Sequence, residues 1–310
     1  MKAGLLGQLQ ERGYRGRIAS IQRLHDLEGG IKIPYKDSLF DQAFYQERLT
    51  GFDFSPPENL PQARSLIVVA IKQPQIRFTF NWNGKQIPII VPPTYLCWQE
   101  TDKRAELALV EILASEGYRV AQAALPKKLL AVRSGLAVYG RNNITYIDGL
   151  GSFYRLAAFY SDLPCDRDDW QEPKMMERCK TCLACLQKCP TGAITRERFL
   201  LHAERCIVFH NEKPGHVPFP TWLPLSAHNC LVGCLDCQRI CPENRDFLAW
   251  MEQGAAFSSQ ETALLLDGVP LDELPSTTAR KLKRWDLVDL LDILPRNLAV
   301  LLKGKSTTKL

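Results

Sequence analysis

The hydrophobic pattern of this chain changes period several times, and each change marks an element. Residues 2–12 read as a helix, and Arg17-Ile18-Ala19-Ser20-Ile21 as a short strand. Leu66-Ile67-Val68-Val69-Ala70-Ile71 is continuously apolar and largely β-branched, the pattern of a buried strand. Residues 77–82 and 85–91 flank Asn83-Gly84, and Asn-Gly between two such runs predicts a hairpin. An amphipathic helix is expected over 99–117, with Leu107, Val110, Ile112 and Leu113 inward and Gly117 as its stop. A second helix is expected over 125–134, ending at Gly135, and residues 137–160 look strand-like. Beyond 246 the pattern turns helical, with helices predicted at Phe247 to Gln253, Glu261 to Leu266, Arg280 to Leu294 and Arg296 to Lys303. The last two would form a hairpin of the kind that caps a helical solenoid.

These elements predict an α+β protein in which the early residues form a layer on a mixed or antiparallel sheet. Residues 161–178 are charged and contain Pro164 and Pro173, which marks a boundary. Three domains are expected: 1–165, 166–245 and 246–310. A chain of 310 residues that is 45% hydrophobic can bury a sizeable core. No run approaches the ~20 apolar residues of a membrane span. Met1 to Gly16 has no long apolar stretch and carries Glu11 and Arg12, so no export signal is predicted and a cytoplasmic location is expected.

The net charge is +5, and its distribution matters more than its size. From Ser276 onward eight basic residues (Arg280, Lys281, Lys283, Arg284, Arg296, Lys303, Lys305, Lys309) face three acidic ones (Asp286, Asp289, Asp292), so this tail alone matches the whole surplus. It is either a phosphate-binding patch or a solvated helical face.

The chemistry lies in the cysteines. Eight of the eleven fall into two runs, Cys179-x2-Cys182-x2-Cys185-x3-Cys189-Pro190 and Cys234-x2-Cys237-x3-Cys241-Pro242, with Cys206 upstream of the second. A loop with cysteines three residues apart wraps three corners of a cubane cluster, and the fourth thiolate comes from a distant segment. In two-cluster ferredoxins the Cys before Pro ligates the other cluster. Carried onto this chain, that rule assigns Cys179, Cys182, Cys185 and Cys241 to one 4Fe-4S cluster. It assigns Cys189, Cys206, Cys234 and Cys237 to a second, with Cys230 the alternative to Cys206. Structural zinc uses paired C-x2-C units separated by a longer gap, which these crowded runs do not match. Cys97 and Cys165 lie outside the runs and read as buried free thiols. His202, His210, His216 and His228 surround the second run, as ligands or as polar loop residues.

The cysteine runs, together with Arg205-Cys206-Ile207, Asn229-x3-Gly233-Cys234-x-Asp236-Cys237-Gln238, Arg133-Ser134-Gly135-Leu136-x3-Gly140-Arg141-Asn142, Gly151-Ser152 and Arg296-Asn297-x-Ala299, resemble the epoxyqueuosine reductase family. The resemblance covers roughly residues 60–300. It implies a nitroreductase-like, mixed-sheet cobalamin-binding layer packed on a ferredoxin-like two-cluster domain, with short C-terminal helices. It implies an oxidoreductase of tRNA queuosine modification, in which electrons pass from two 4Fe-4S clusters to cobalamin and the epoxide oxygen of epoxyqueuosine is removed. Cofactor contacts are expected at Gly135, Gly140, Arg141 and Asn142. An external donor such as ferredoxin or flavodoxin, a tRNA substrate, no membrane and a monomer complete the expectation. The position at which the family carries its acidic proton donor falls on Ala121, and a position usually glycine is Ala137. These departures indicate a divergent paralogue and leave Tyr139, Tyr146, Asp148 and also Tyr95 as replacement acids. Two alternatives remain: an electron-transfer protein that binds no corrinoid, and a nucleic-acid-binding protein with structural clusters.

Overall fold

A computed structural model describes residues 2–306. The elements run α1 (Lys2–Glu11), β1 (Arg15–Ser20), α2 (Leu24–Lys36), α3 (Gln42–Arg48), β2 (Ser65–Lys72), β3 (Gln75–Trp82), β4 (Lys85–Val91), α4 (Trp98–Ala114), β5 (Val120–Gln122) and α5 (Lys127–Arg133). They continue with β6 (Val138–Tyr139), β7 (Thr145–Tyr146), β8 (Tyr154–Ser161), α6 (Ala184–Lys188), α7 (Ile207–Asn211), α8 (Asp236–Arg239), β9 (Met251–Phe257), α9 (Ser259–Leu266), α10 (Ser276–Arg284) and α11 (Leu294–Ser306).

The central sheet has the order β1-β2-β8-β5 and is antiparallel throughout. β2 pairs with β8 from Ser65 opposite Ser161 to Lys72 opposite Tyr154. Alternate side chains point to opposite faces. Ile67, Val69 and Ile71 join Ala157 and Phe159 beneath Leu9 of α1 and Leu109, Ile112 and Leu113 of α4. Leu66, Val68 and Ala70 join Leu156, Ala158 and Tyr160 on the other face, against Leu27 of α2 and Leu130 of α5. Helices cover both faces, which is why β2 reads as an unbroken apolar run.

The expected inward face of α4 needs correction. Ile112 and Leu113 are buried, but Leu107 and Val110 are exposed. Thr101, Asp102, Ala105, Ala108 and Leu109 complete the inward face instead. Asp102 is inside because Arg155 of β8 meets it with its guanidinium at 2.7 Å and Lys127 at 3.4 Å. A face read from apolar residues alone rotates when a buried ion pair occupies it.

A second sheet, β4-β3-β9, is built on the expected hairpin. Asn83 (φ 49°) and Gly84 (φ 73°) both take the left-handed conformation that a two-residue hairpin turn requires. The helix expected over Phe247 to Gln253 is absent: the chain leaves a 3-10 turn at Phe247 and extends as β9, parallel to β3. Gly254 allows this, since a Cβ there would lie 2.7 Å from the Phe78 ring. The helix expected over Arg280 to Leu294 also breaks, at Trp285 and left-handed Asp286. No solenoid cap forms. Leu265, Leu282, Leu294, Leu298 and Leu301 of α9–α11 pack on Phe78, Phe80, Ile89, Val91 and Phe257 of this sheet. Leu231 and Val232, from the cysteine-bearing segment, enter the same core.

The basic tail is not one solvated face. Lys281 holds Glu261 at 2.7 Å, and Arg296 turns inward to the carbonyls of Pro214 and Val217. Lys309 lies outside the described residues. No helix among the described residues is long and apolar enough to cross a membrane.

Candidate functional site

The segment around the cysteines has little regular structure. Its helices α6, α7 and α8 are only four or five residues long, and its own apolar cluster centres on Ile207, Leu223 and Ala227. Cys179 sits in a single 3-10 turn, Cys185 in α6, Cys206 at the N-terminus of α7 and Cys237 in α8. Cys189 ends α6 just before Pro190, whose missing N–H cannot continue it, whereas Cys241 precedes a 3-10 segment that Pro242 opens.

These turns gather the thiols into two groups. Cys179, Cys182 and Cys241 surround Cys185, whose thiol is pushed up to about 11, by burial first and then by those neighbours. Three of these four come from one run and Cys241 from the other. Cys234 and Cys189 lie beside Cys206, whose thiol burial pushes up to about 12. Cys237, raised by burial, lies next to Cys234 and Cys206. Among the described residues no three metal-ligating side chains close on a single ion. A cubane spreads its four thiolates over separate irons, so this looser spacing suits a cluster. A bound cation reverses the pKa logic of such a nest, because a coordinating thiol is deprotonated outright.

Cys230 differs from its neighbours. Its thiol donates to Asn229 Oδ1 at 3.0 Å, while Asn229 Nδ2 donates to Cys234 Sγ at 3.1 Å. Asn229 stood in the motif read from the sequence, but its hold on the two thiols was not foreseen there. Two of the histidines are engaged elsewhere. His202 meets Glu204 at 3.1 Å, His210 meets the Glu204 carbonyl at 2.7 Å, and His216 is exposed. His228 is lowered to about 4 by burial and by Arg296.

The predicted cofactor residues do not share one surface. Gly135 (φ 75°) is the left-handed stop of α5 and packs toward Gln171 and Asp169. Gly140, Arg141 and Asn142 form the tip of the β6-β7 hairpin and line a small cavity with Cys179, Cys182, Cys185 and Cys241. Arg141 donates to the Cys179 carbonyl at 2.7 Å.

The predicted acids separate in the same way. Tyr146 is buried and points at Cys241. Tyr139 is raised by burial and packs edge-on against Phe199. Asp148 is exposed in the turn between Ile147 and Gly151, outside both thiol groups. Ala121 is buried in β5 opposite Tyr160, so no carboxylate stands there. Ala137 is also buried.

Tyr95 occupies a different setting. Its hydroxyl donates to Glu212 Oε1 at 2.6 Å, and its ring lies against Gly233, where a Cβ would fall 2.6 Å from the ring. Burial and Glu212 raise its pKa, with Cys206 nearby. The pair borders a cleft of about 560 Å³ with Trp98, Arg155, Val232, Leu290 and Ile293. Lys128 of α5, also missed in the sequence, has an exposed side chain. Desolvation nonetheless lowers its ammonium, opposed by Cys206, Cys237 and Glu212, so it stands within electrostatic reach of the second thiol group.

Comparison with known proteins sharpens this picture. Residues 178–244 match the family model described as a 4Fe-4S double cluster binding domain. Epoxyqueuosine reductase of Yersinia pestis is 36% identical over 127 residues, which is 41% of this chain and 29% of that protein. The Escherichia coli (strain K12) enzyme is 37% identical over 127 residues, 41% of this chain and 32% of that one. The chain resembles the epoxyqueuosine reductases. The matched stretch spans about a third of each of these relatives. Two solved structures extend the likeness in fold. Epoxyqueuosine reductase from Streptococcus thermophilus has a TM-score of 0.64 at 18% identity, covering 97% of this chain and 80% of that one. Epoxyqueuosine reductase with a tRNA-Tyr epoxyqueuosine-modified stem loop has 0.63 at 21%, with the same coverage. The α+β architecture with a cluster-binding segment is therefore that of the epoxyqueuosine reductases.

Proposed function

We propose that this chain is an iron–sulfur oxidoreductase resembling epoxyqueuosine reductase and serving tRNA queuosine modification. Cys179, Cys182, Cys185 and Cys241 hold one 4Fe-4S cluster, and Cys189, Cys206, Cys234 and Cys237 the other. The observation that carries this reading is the gathering of eight thiols into two groups of four, the first completed by Cys241 from the other run and the second by Cys189 and Cys206 from two separate segments. Cys206 fits the second group better than Cys230, because it lies beside both Cys234 and Cys189, whereas the Cys230 thiol is held by Asn229.

Such clusters, when bound, relay single electrons, taken here from an external low-potential donor such as ferredoxin or flavodoxin. Cobalamin, when bound, supplies a metal that receives those electrons and acts on the substrate. Apolar Trp98, Val232, Leu290 and Ile293 and polar Arg155 and Glu212 fit a large ring with a polar rim at the cleft. Removal of an epoxide oxygen to leave an alkene consumes a pair of electrons and a pair of protons and releases water. With Ala121 at the family's acid position, the chain draws protons from elsewhere. The Tyr95–Glu212 pair and Lys128 are proton-bearing groups within electrostatic reach of Cys206 in the second thiol group. The remaining reading, a cytoplasmic monomer acting on a tRNA, rests on the resemblance.

The second reading is an electron-transfer protein that binds no corrinoid, favoured by Ala121. Anaerobic purification with iron, sulfide and cobalt counted per chain, followed by cobalamin titration, separates the two. About eight irons with saturable corrinoid binding supports the reductase. The same iron without corrinoid binding leaves the carrier, and zinc in its place overturns both.

A further inference from the structure

The β6-β7 hairpin has a tip with no role yet. Its strands pair over only Val138 to Tyr146 and Tyr139 to Thr145. Gly140 is required there, because a Cβ would stand 2.6 Å from both Asn142 Oδ1 and the Tyr146 ring. The two side chains are thereby pressed together, and Asn142 Nδ2 donates to the Tyr146 hydroxyl at 3.0 Å. The hydroxyl's own proton remains free to be donated, and Cys241 lines the same small cavity as Tyr146 and Asn142, with its sulfur placed as the acceptor. Asn142 also reaches Cys237, at 3.5 Å to its carbonyl and within hydrogen-bonding reach of its thiol. Cys241 belongs to the first thiol group and Cys237 to the second. One buried pair therefore touches both, and both of its members are buried. Ile144 N–H fixes the amide orientation by donating to Asn142 Oδ1 at 3.2 Å.

We infer that Asn142 and Tyr146 form a hydrogen-bond relay that raises the reduction potential of the cluster holding Cys241 and couples the surroundings of the two clusters. Tyr146 is then a positioning residue for electron transfer and not the acid that its place in the sequence suggested. The physical basis is direct. One electron entering a cluster adds negative charge to its sulfurs, and a donor aimed at a ligand sulfur stabilises the reduced form more than the oxidised one. The electron comes from the external donor, or from dithionite in a titration. The phenol keeps its proton, so nothing is transferred but the electron. This inference rests on the proposal that Cys241 and Cys237 are cluster ligands.

The test is a dithionite titration of the anaerobic full-length protein followed by electron paramagnetic resonance. The first cluster's signal is identified by its loss in Cys179→Ser. Tyr146→Phe keeps the ring against Gly140 and removes only the hydroxyl. It is expected to retain about eight irons per chain while disfavouring reduction of that cluster about tenfold, a fall of about 59 mV for one electron. Asn142→Ala is expected to lower the potentials of both clusters by less. Retained iron with that cluster's potential unchanged in Tyr146→Phe overturns the relay. If Tyr146→Phe loses its iron, Asn142→Ala decides by the same comparison. A wild-type chain that binds no iron overturns the cluster assignment and the relay together, whereas an unchanged potential overturns the relay alone.

Discussion

The central sheet and the cysteine-bearing segment are held together by different physics. In the sheet, β2 and β8 bury both faces, and Leu66 through Ala70 are fully buried. In residues 178–244 the helices are too short to stand alone, and the segment's own apolar cluster is small. Burial first, and then the neighbouring thiols, disfavour ionisation of Cys185 and Cys206 there. One region is stable because of what it buries. The other needs a multiply charged centre to pull its loops together, and that is the economy of a metal-organised domain.

The largest effect should come from removing that centre. Anaerobic chelation of iron is expected to abolish amide-exchange protection across 178–244 while β2 and β8 stay protected. Loss of protection in both regions would show that the sheet also depends on the clusters. Next, Cys206→Ser should cost about half of the iron, whereas Cys230→Ser should keep it all, read by iron and sulfide analysis. The reverse would make Cys230 the ligand. On the sheet side, Phe159→Ala opens a cavity in a fully buried site. It should cost about 3–5 kcal/mol in denaturant unfolding with iron content unchanged. The smallest effects lie at α9. Ser258 and Glu261 form a reciprocal cap there, and Ser258→Ala should cost about 1 kcal/mol. Burial alone would raise the Glu261 carboxyl, but hydrogen bonds from Lys281, Ser258 and Thr278 hold it below its usual value. A depressed carboxylate stabilises the fold above its unfolded pKa, about 4.3. That contribution should fade as pH falls through and below this value, and Lys281→Met should flatten the decline.

Much of the scaffold was legible because local chemistry sufficed. The β2 run, the Asn83-Gly84 turn and the α5 stop at Gly135 each depend on residues adjacent in sequence. Elements that depend on distant partners were not legible. β9 reads as helix until β3 offers an open edge and Phe78 a place for Gly254. The face of α4 is misjudged until Arg155, from another strand, meets Asp102. At the site, the spacing of the cysteines and the following prolines announced two four-thiol groups. Tyr146, Asn142 and Cys241 were each picked out, but that they meet was hidden.

The sequence by itself determined the inventory of thiols, since cysteines at two- and three-residue intervals followed by proline suit a compact multi-atom centre, and nothing later in folding alters that inventory. Tertiary structure alone decided what surrounds the thiols. It brought Cys241 to the Cys179 run, set Tyr146 and Asn142 on the wall of the same cavity, and placed Lys128 and the Tyr95–Glu212 pair within electrostatic reach of Cys206. The reason is range. Ligand spacing is set by a few consecutive backbone torsions, whereas a hydrogen bond such as that of Asn142 to the Cys237 carbonyl depends on segments about a hundred residues apart meeting to within a few tenths of an ångström.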